Sequence, residues 1–313
     1  MDPIQLFGSV EAALLPTCPL HLAIGMFDGV HLGHRAVIEA AVQSARRSGG
    51  VAAVLTFRPH PSALFRPDQP TRLILEAPTQ ARLMQGLGVA AVITHPFTRE
   101  FALIEAEEFL PWLKEKLPGL AAVYVGENWR FGAGRRGDVA LLVAAARRLG
   151  LAVFSAPPVN FNGEPVSSTR IRDLLEEGEV AAAGALLGYT YFAHGTVAAG
   201  KQLGRTLGFP TLNLPWAPQL RPRFGVYAVR VRGAEGEETL PGVANYGIRP
   251  TVERSAVPVL ETHVLGACPF DAGDAIAVEW LRFVRPEMKF SSVGELRARI
   301  AADVAAARSS AGA

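Results

Sequence analysis

The sequence predicts an α/β protein in two parts: a Rossmann-like parallel-sheet domain, then a small antiparallel β-barrel with a terminal helix. Three observations predict it. In the first half, five apolar runs recur about every thirty residues with amphipathic stretches between them. Beyond Leu187-Gly188 the pattern changes to short strand-like runs punctuated by Gly and Pro. The chain has 313 residues, long for one hydrophobic core and suited to two domains. The expected division is 1–186 and 187–313.

The apolar runs are HLAIGMF, VAAVLTF, VAAVITH, AAVYVG and LAVFSA. They are continuous rather than alternating, as strands buried on both faces require. The stretch GHRAVIEAAVQSARRSGG shows why the connections read as helices. Val37, Ile38, Ala41, Val42 and Ala45 form one apolar stripe, and Gly49-Gly50 stops it. Strand, helix and strand at this spacing give right-handed crossovers and a parallel sheet. In the second half the expected strands are GTVAAG, PTLNLP, FGVYAVRVRG, TLPGVANYG, VPVLETHVLG and AIAVEWLRFV, the pattern of a barrel. A last helix is expected over 292–308, capped by Ser291 or Ser292, with Leu296 and Ile300 turned inward.

Composition narrows the function. Hydrophobic residues make up 49% and charged residues 19%, which excludes a disordered chain. A net charge of +2 gives no bulk attraction to nucleic acid or anionic membrane. Cys18 and Cys268 stand far apart, outside any C-x-x-C pair, so neither a zinc site nor a disulfide framework is expected. The start of the chain lacks the basic region of a signal peptide, and no apolar run is long enough to span a bilayer. A cytoplasmic protein with small-molecule partners is the expectation.

Candidate chemistry sits first in GMFDGVHLGHRAVI, between the first strand and first helix. His31 and His34 are three apart and face the same way around a helix start. Gly33 permits close approach, and free N–H groups there favour anions. Together they suit a nucleoside triphosphate, with Gly25, Phe27, Asp28 and Gly29 of the same turn counted among the nucleotide and substrate contacts. The bland alternative is a pair of surface histidines. Two more segments follow strands: VGENWRFGAGRRGD and VSSTRIRDLLEEG, the second with Ser167, Ser168 and Thr169 as capping hydroxyls. Arg170 and Arg172 in that helix's first turn oppose its dipole, a conflict a bound polyphosphate would resolve. TFRPHP adds His60, equally readable as structural.

In the second half, Gly195, Gly200, Gly204 and Gly208 allow close backbone approach to phosphates, and Arg205 adds charge, although no Walker loop is present. Thr211 and Asn213 share a strand face and are neutral oxygen ligands, suited to Mg²⁺ already carried by nucleotide phosphates. Glu261 shares a face with Val259, His263 and Leu265, and a carboxylate there can act as general base. A cross-strand salt bridge is the plain alternative.

Taken in order, GMFDGVHLGH, TFRPHP, VGENWRFG, VSSTRIRDLL, GKQLGRTLGFPTLN, GVANYGIRPT, LETH and RPEMKF resemble the prokaryotic bifunctional riboflavin kinase/FAD synthetase family. The resemblance runs from about Leu20 to Arg308. It implies a nucleotidyltransferase-type α/β domain and a riboflavin-kinase barrel, with ATP and Mg²⁺ acting on riboflavin and FMN to yield FMN and FAD. It implies that His31 and His34 bind ATP for adenylyl transfer and adds Asn128, Ser168, Thr169 and Arg172 to that site. It assigns Thr211 and Asn213 to the nucleotide-bound metal and Glu261 to the base role. Two departures stand out: Glu127-Asn128-Trp129 where the family often has an acidic residue followed by Phe, and no Leu-Tyr-Gly after Glu261. The competing readings are a single-activity adenylyltransferase with an inert β domain, and a flavin-sensing or RNA-binding regulator without turnover.

Overall fold

The computed structural model describes residues 3–199, 208–234, 236, 238–248 and 257–311. The chain divides into two compact units between Ser168 and Thr169.

In the first unit, β1 (Gln5–Phe7), β2 (Leu20–Ile24), β3 (Val51–Arg58), β4 (Ala91–Pro96), β5 (Leu120–Gly126) and β6 (Ala152–Ala156) make one sheet in the order β1-β4-β3-β2-β5-β6. Every pairing in it is parallel. The chain runs outward from β2 through β3 to β4, then returns to the other side of β2 as β5. The strand order therefore reverses between β2 and β5, where ligands bind in open α/β sheets. The helices are α1 (Leu32–Ser48), α2 (Pro61–Phe65), α3 (Ala77–Gly86), α4 (Arg99–Ala102), α5 (Ala106–Lys116) and α6 (Val139–Arg148). Leu22, Ile24, Leu55, Ile93, Val123 and Val125 bury against Phe109, Leu110 and Leu113 of α5 and Leu142 of α6. Helix α1 buries the five residues of its predicted stripe and ends at Gly49, in the left-handed region at φ 64°. Strand β1 is absent from the sequence reading, because its three residues are mostly exposed and carry no apolar run. So is the hairpin β7 (Asn160–Phe161) and β8 (Glu164–Pro165), whose Asn162 and Gly163 both have positive φ, 54° and 81°. Asn-Gly is the sequence signal for that turn.

In the second unit, α7 (Ser168–Glu177), which starts on the last residue of the first, and α8 (Val180–Leu187) precede a six-stranded antiparallel sheet. Its strands are β9 (Phe192–Thr196), β10 (Leu212–Pro215), β11 (Gly225–Gly233), β12 (Leu240–Gly247), β13 (Val259–Val264) and β14 (Ala275–Arg285). Their order is β10-β13-β12-β11-β14-β9. The Ala198 N–H donates to the Asn213 carbonyl at 2.8 Å, bringing the end strands together and nearly closing a barrel. The expected first strand, GTVAAG, is displaced: the strand is Phe192–Thr196, three residues earlier. Inside, Trp280, Tyr227 and Tyr246 are fully buried, with Tyr227 edge-on to Trp280 at 4.5 Å. Outside, the terminal helix α9 (Val293–Ala311) covers Val226, Ala228 and Val243 with Val304 and Ala307. The deep anchors are thus Val304 and Ala307; Leu296 and Ile300 are only half-buried. Ser292 Oγ accepts from Glu295 N–H at 3.1 Å and Glu295 accepts from Ser291 N–H at 2.9 Å, a reciprocal cap. Asp303 then clasps the buried Arg285 guanidinium through Nε and Nη2, at 3.0 and 2.7 Å.

Candidate functional site

The histidine turn lies where the switch point predicts, just past the carboxyl end of β2. It is a strained segment: Phe27, Gly29 and Val30 have φ of 48°, 88° and 42°. Two of these are not glycine, and each such residue costs about 1–3 kcal/mol unless its surroundings hold it. Buried polar contacts do so. Gln80 Nε2 donates to the Met26 and Phe27 carbonyls at 2.8 and 3.0 Å. The Asp28 carboxylate, 4% exposed, accepts from Ile74 N–H at 2.9 Å. Ser168 Oγ donates to the Asp28 carbonyl at 2.8 Å.

His31, 5% exposed, is the N-cap of α1, and its Nδ1 accepts from His34 N–H at 3.3 Å. Accepting through Nδ1 leaves the ring proton on Nε2. The two imidazoles stack at 3.5 Å with 18° between planes, and Phe27 sits edge-on to His34 at 5.4 Å. Glycine keeps the packing around them close: a Cβ at Gly33 would lie 3.2 Å from His31 Cε1, and one at Gly25 would lie 3.1 Å from the Phe27 ring, so either ring would have to shift. The sequence expectation that both rings point one way is met by direct contact.

Other candidates distribute unevenly. Asn128 is exposed just beyond β5, the strand next to β2. Its neighbour Trp129 stacks on Phe131 at 4.6 Å and touches Phe109, so it fills an aromatic position against the core. The same loop is fastened to the start of α5 by Ala133 N–H on the Ile104 carbonyl at 2.7 Å and by Arg136 on Glu105 and Glu107. Thr169 is exposed and Arg172 half-buried in α7. His60 caps the five-residue α2, its Nδ1 accepting from Ser62 N–H at 3.1 Å, which gives it a structural task. Gly200, Gly204 and Arg205 lie outside the described residues, whereas Gly208 is described and has φ of 87°.

In the barrel, register makes a row on the outer face. Asn213 of β10 pairs with Glu261 of β13, and Glu261 pairs with Asn245 of β12. Cross-strand partners share a face, so two carboxamides flank one carboxylate. The opposite face carries Leu214, Leu260, Ala244 and Tyr246 into the interior. Asn213 is 8% exposed, while Glu261 and Asn245 are half-buried. Thr211 stands one residue before β10 begins. His263 Nδ1–H donates to the Pro210 carbonyl at 2.8 Å, and its ring meets Phe209 edge-on at 5.5 Å. That contact places His263 in support of the segment carrying Thr211. Asn245 Nδ2 reaches Glu287 Oε1 at 3.5 Å. Asn245 and Glu287 were not singled out from sequence. The available signal was a polar residue at an outward position of an apolar strand, with meaning only once register is known. Among the described residues, no group of three or more His, Cys, Asp and Glu is placed to hold a metal ion.

Residues 16–170 match the FAD synthetase family and residues 187–311 the riboflavin kinase family. The chain is 39% identical over 287 residues to the bifunctional riboflavin kinase/FMN adenylyltransferase of Escherichia coli K12, covering 92% of this chain and 91% of that one. The chain belongs to the bifunctional riboflavin kinase/FMN adenylyltransferase family. A family member from Bacillus subtilis is 33% identical, covering 90% of this chain and 89% of its own. A crystal structure titled as a macrolide-efflux protein from Streptococcus pneumoniae superposes with a TM-score of 0.86 at 27% identity, covering 97% and 98% of the two chains. That name belongs to the other protein. Here, no helix among the described residues is long and apolar enough to cross a membrane. Against the family frame, the histidine turn falls inside the FAD synthetase match and the Asn213–Glu261–Asn245 row inside the riboflavin kinase match.

Proposed function

We infer that the two family activities divide between the two clusters, with adenylyl transfer to FMN at His31 and His34 and phosphoryl transfer to riboflavin at Glu261. One observation carries this division: the stacked histidines and the Asn213–Glu261 pair lie in different compact units. The functional boundary is drawn at 1–186 and 187–313.

The two reactions need different groups. FMN already presents an anionic phosphate oxygen, so its attack on the α-phosphorus of ATP, with pyrophosphate leaving, requires no base. It requires donors and cations around the developing charge. His31 Nε2–H and His34 serve there, with Asn128 and Ser168 as further contacts and Gly25, Phe27, Asp28 and Gly29 shaping the turn. His60 holds the neighbouring α2. In the kinase reaction the nucleophile is an alcohol, which must lose its proton as the γ-phosphoryl arrives and ADP leaves. Glu261 accepts that proton. Gly200, Gly204, Arg205 and Gly208 belong to the nucleotide-binding stretch.

The donor set at Thr211 and Asn213, neutral oxygens beside a strand end, fits Mg²⁺ carried by ATP. When bound, the ion screens phosphate charge. A cytoplasmic location is supported by two free cysteines, Cys18 and Cys268. The test is to incubate the pure chain with riboflavin, ATP and Mg²⁺ and separate the flavins. FMN and FAD together support the reading. FMN alone would leave the histidine turn inert, and no product would favour a binding protein.

A further inference from the structure

The row across the barrel orders more than the base. Asn213, Glu261 and Asn245 stand on three adjacent strands, β10, β13 and β12, in register. Strands lie about 4.8 Å apart, so the two carboxamides stand roughly 10 Å from each other with the carboxylate midway. That span accommodates a phosphoryl group on one side of the base and an alcohol on the other. The β10 end is the ATP side in the reading above, which leaves the β12 end for the acceptor.

We propose that Asn245 binds the polyol chain of the acceptor, at the hydroxyl next to the reacting one, and so sets specificity for riboflavin. The proposal rests on Glu261 being the kinase base. Asn245 is half-buried on the outer face, while its strand neighbours Ala244 and Tyr246 turn into the barrel. A carboxamide both donates and accepts, which suits a hydroxyl neighbouring a reacting hydroxyl. One N–H of Asn245 goes to Glu287 Oε1 at 3.5 Å, and the Oδ1 has no partner among the described residues. Glu287 in turn lies against Gly247, where a Cβ would stand 2.0 Å from Glu287 Oε1. Glycine at 247 is therefore what lets this carboxylate reach Asn245 and fix which end of the amide faces the row. The Asn245–Glu287 contact is open to solvent, so the Oδ1 is accessible to a ligand hydroxyl.

The experiment is a cycle on the whole chain with ATP and Mg²⁺. Wild type and Asn245→Ala are assayed with riboflavin and with an analogue lacking the hydroxyl next to the reacting one. Flavin fluorescence gives Kd for both flavins. A site built to bond a hydroxyl penalises its loss, by about 3- to 10-fold for one neutral hydrogen bond. Wild type shows that penalty in kcat/KM and Kd, and Asn245→Ala shows almost none, because the partner is already gone. An undiminished penalty in Asn245→Ala overturns the proposal. Asn245→Ser, too short to reach but still polar, gives the same readout if the alanine variant fails to fold, with the melting transition of the second unit, which carries Asn245, as the folding control. Glu261→Gln separates the two levels. Near-normal turnover in that variant sinks the base assignment, while collapse there together with an undiminished analogue penalty in Asn245→Ala sinks only this inference.

Discussion

On the proposed assignment, the two units of this chain build their sites by opposite means. The first places its chemistry on backbone: a strained turn past a strand end, a helix N-terminus, and two imidazoles stacked at 3.5 Å. The second places it on a regular strand face, where register alone lines up Asn213, Glu261 and Asn245. The difference follows from the substrates' demands. An attacking phosphate needs fixed donors, which helix starts and turns supply. An attacking alcohol needs a base at one set position, and a strand pair holds a side chain there with little freedom.

The sharpest way to break the comparison is to remove the histidines. His31→Ala with His34→Ala is expected to abolish FAD formation, with a loss of about 10³-fold or more where each lost donor counts for roughly 10²–10³. FMN formation continues. Equal loss of both activities in a folded protein would mean that the clusters do not divide the chemistry.

The reciprocal variant is Glu261→Gln, which keeps shape and removes basicity. Riboflavin phosphorylation should fall by about 10²–10⁴ in kcat, while adenylylation of supplied FMN is unchanged. Collapse in His263→Gln with near-normal Glu261→Gln would pass the base role to the histidine. The structure argues against that outcome, since His263 is occupied with the Pro210 carbonyl.

Stability sharpens the contrast next. The barrel holds α9 through Asp303, 3% exposed, on the buried Arg285. Asp303→Ala leaves that guanidinium without its counter-charge and should destabilise the second unit by about 3–5 kcal/mol. Calorimetry would show one transition lowered and the other kept; two unmoved transitions would contradict it.

The smallest effect expected is a pH dependence of the first unit near neutral pH, carried by buried histidines. His21 is buried between Tyr124 Oη and Ser48 Oγ, each at 2.8 Å. Burial, then the nearby Arg47 charge, lowers its pKa from the usual 6.5. The unfolded chain thus binds the proton more readily, so the neutral ring's contribution is full above 6.5 and is lost as pH falls below it. His95, also lowered by burial and opposed by Glu11, acts in the same direction. Thermal melts at acid and neutral pH would check this, and His21→Gln should flatten the slope.

How much of this was legible differs between the regions. The helix α1 stripe, the five main parallel strands and the histidine pair all follow from local pattern, since periodicity and a motif at a strand end are properties of a short stretch. Strand β1 carried no pattern because it is an exposed edge that pairs with β4, far along the chain. The strand GTVAAG was misplaced because Phe192–Thr196 alternates too weakly to mark its own start. Glu261 and Asn213 were both found from local pattern, yet their adjacency and the third member, Asn245, were not, because these depend on strand register.

By itself the sequence determined which residue types recur at which spacing: the fold class, the histidines three apart, and the isolated carboxylate of β13. Only the tertiary structure decided who stands beside whom. The stacking of His31 on His34 depends on a turn held by Gln80, Ile74 and Ser168 from distant segments. The place of Asn245 beside Glu261 depends on strand register, and a slip of one residue would turn either side chain to the opposite face.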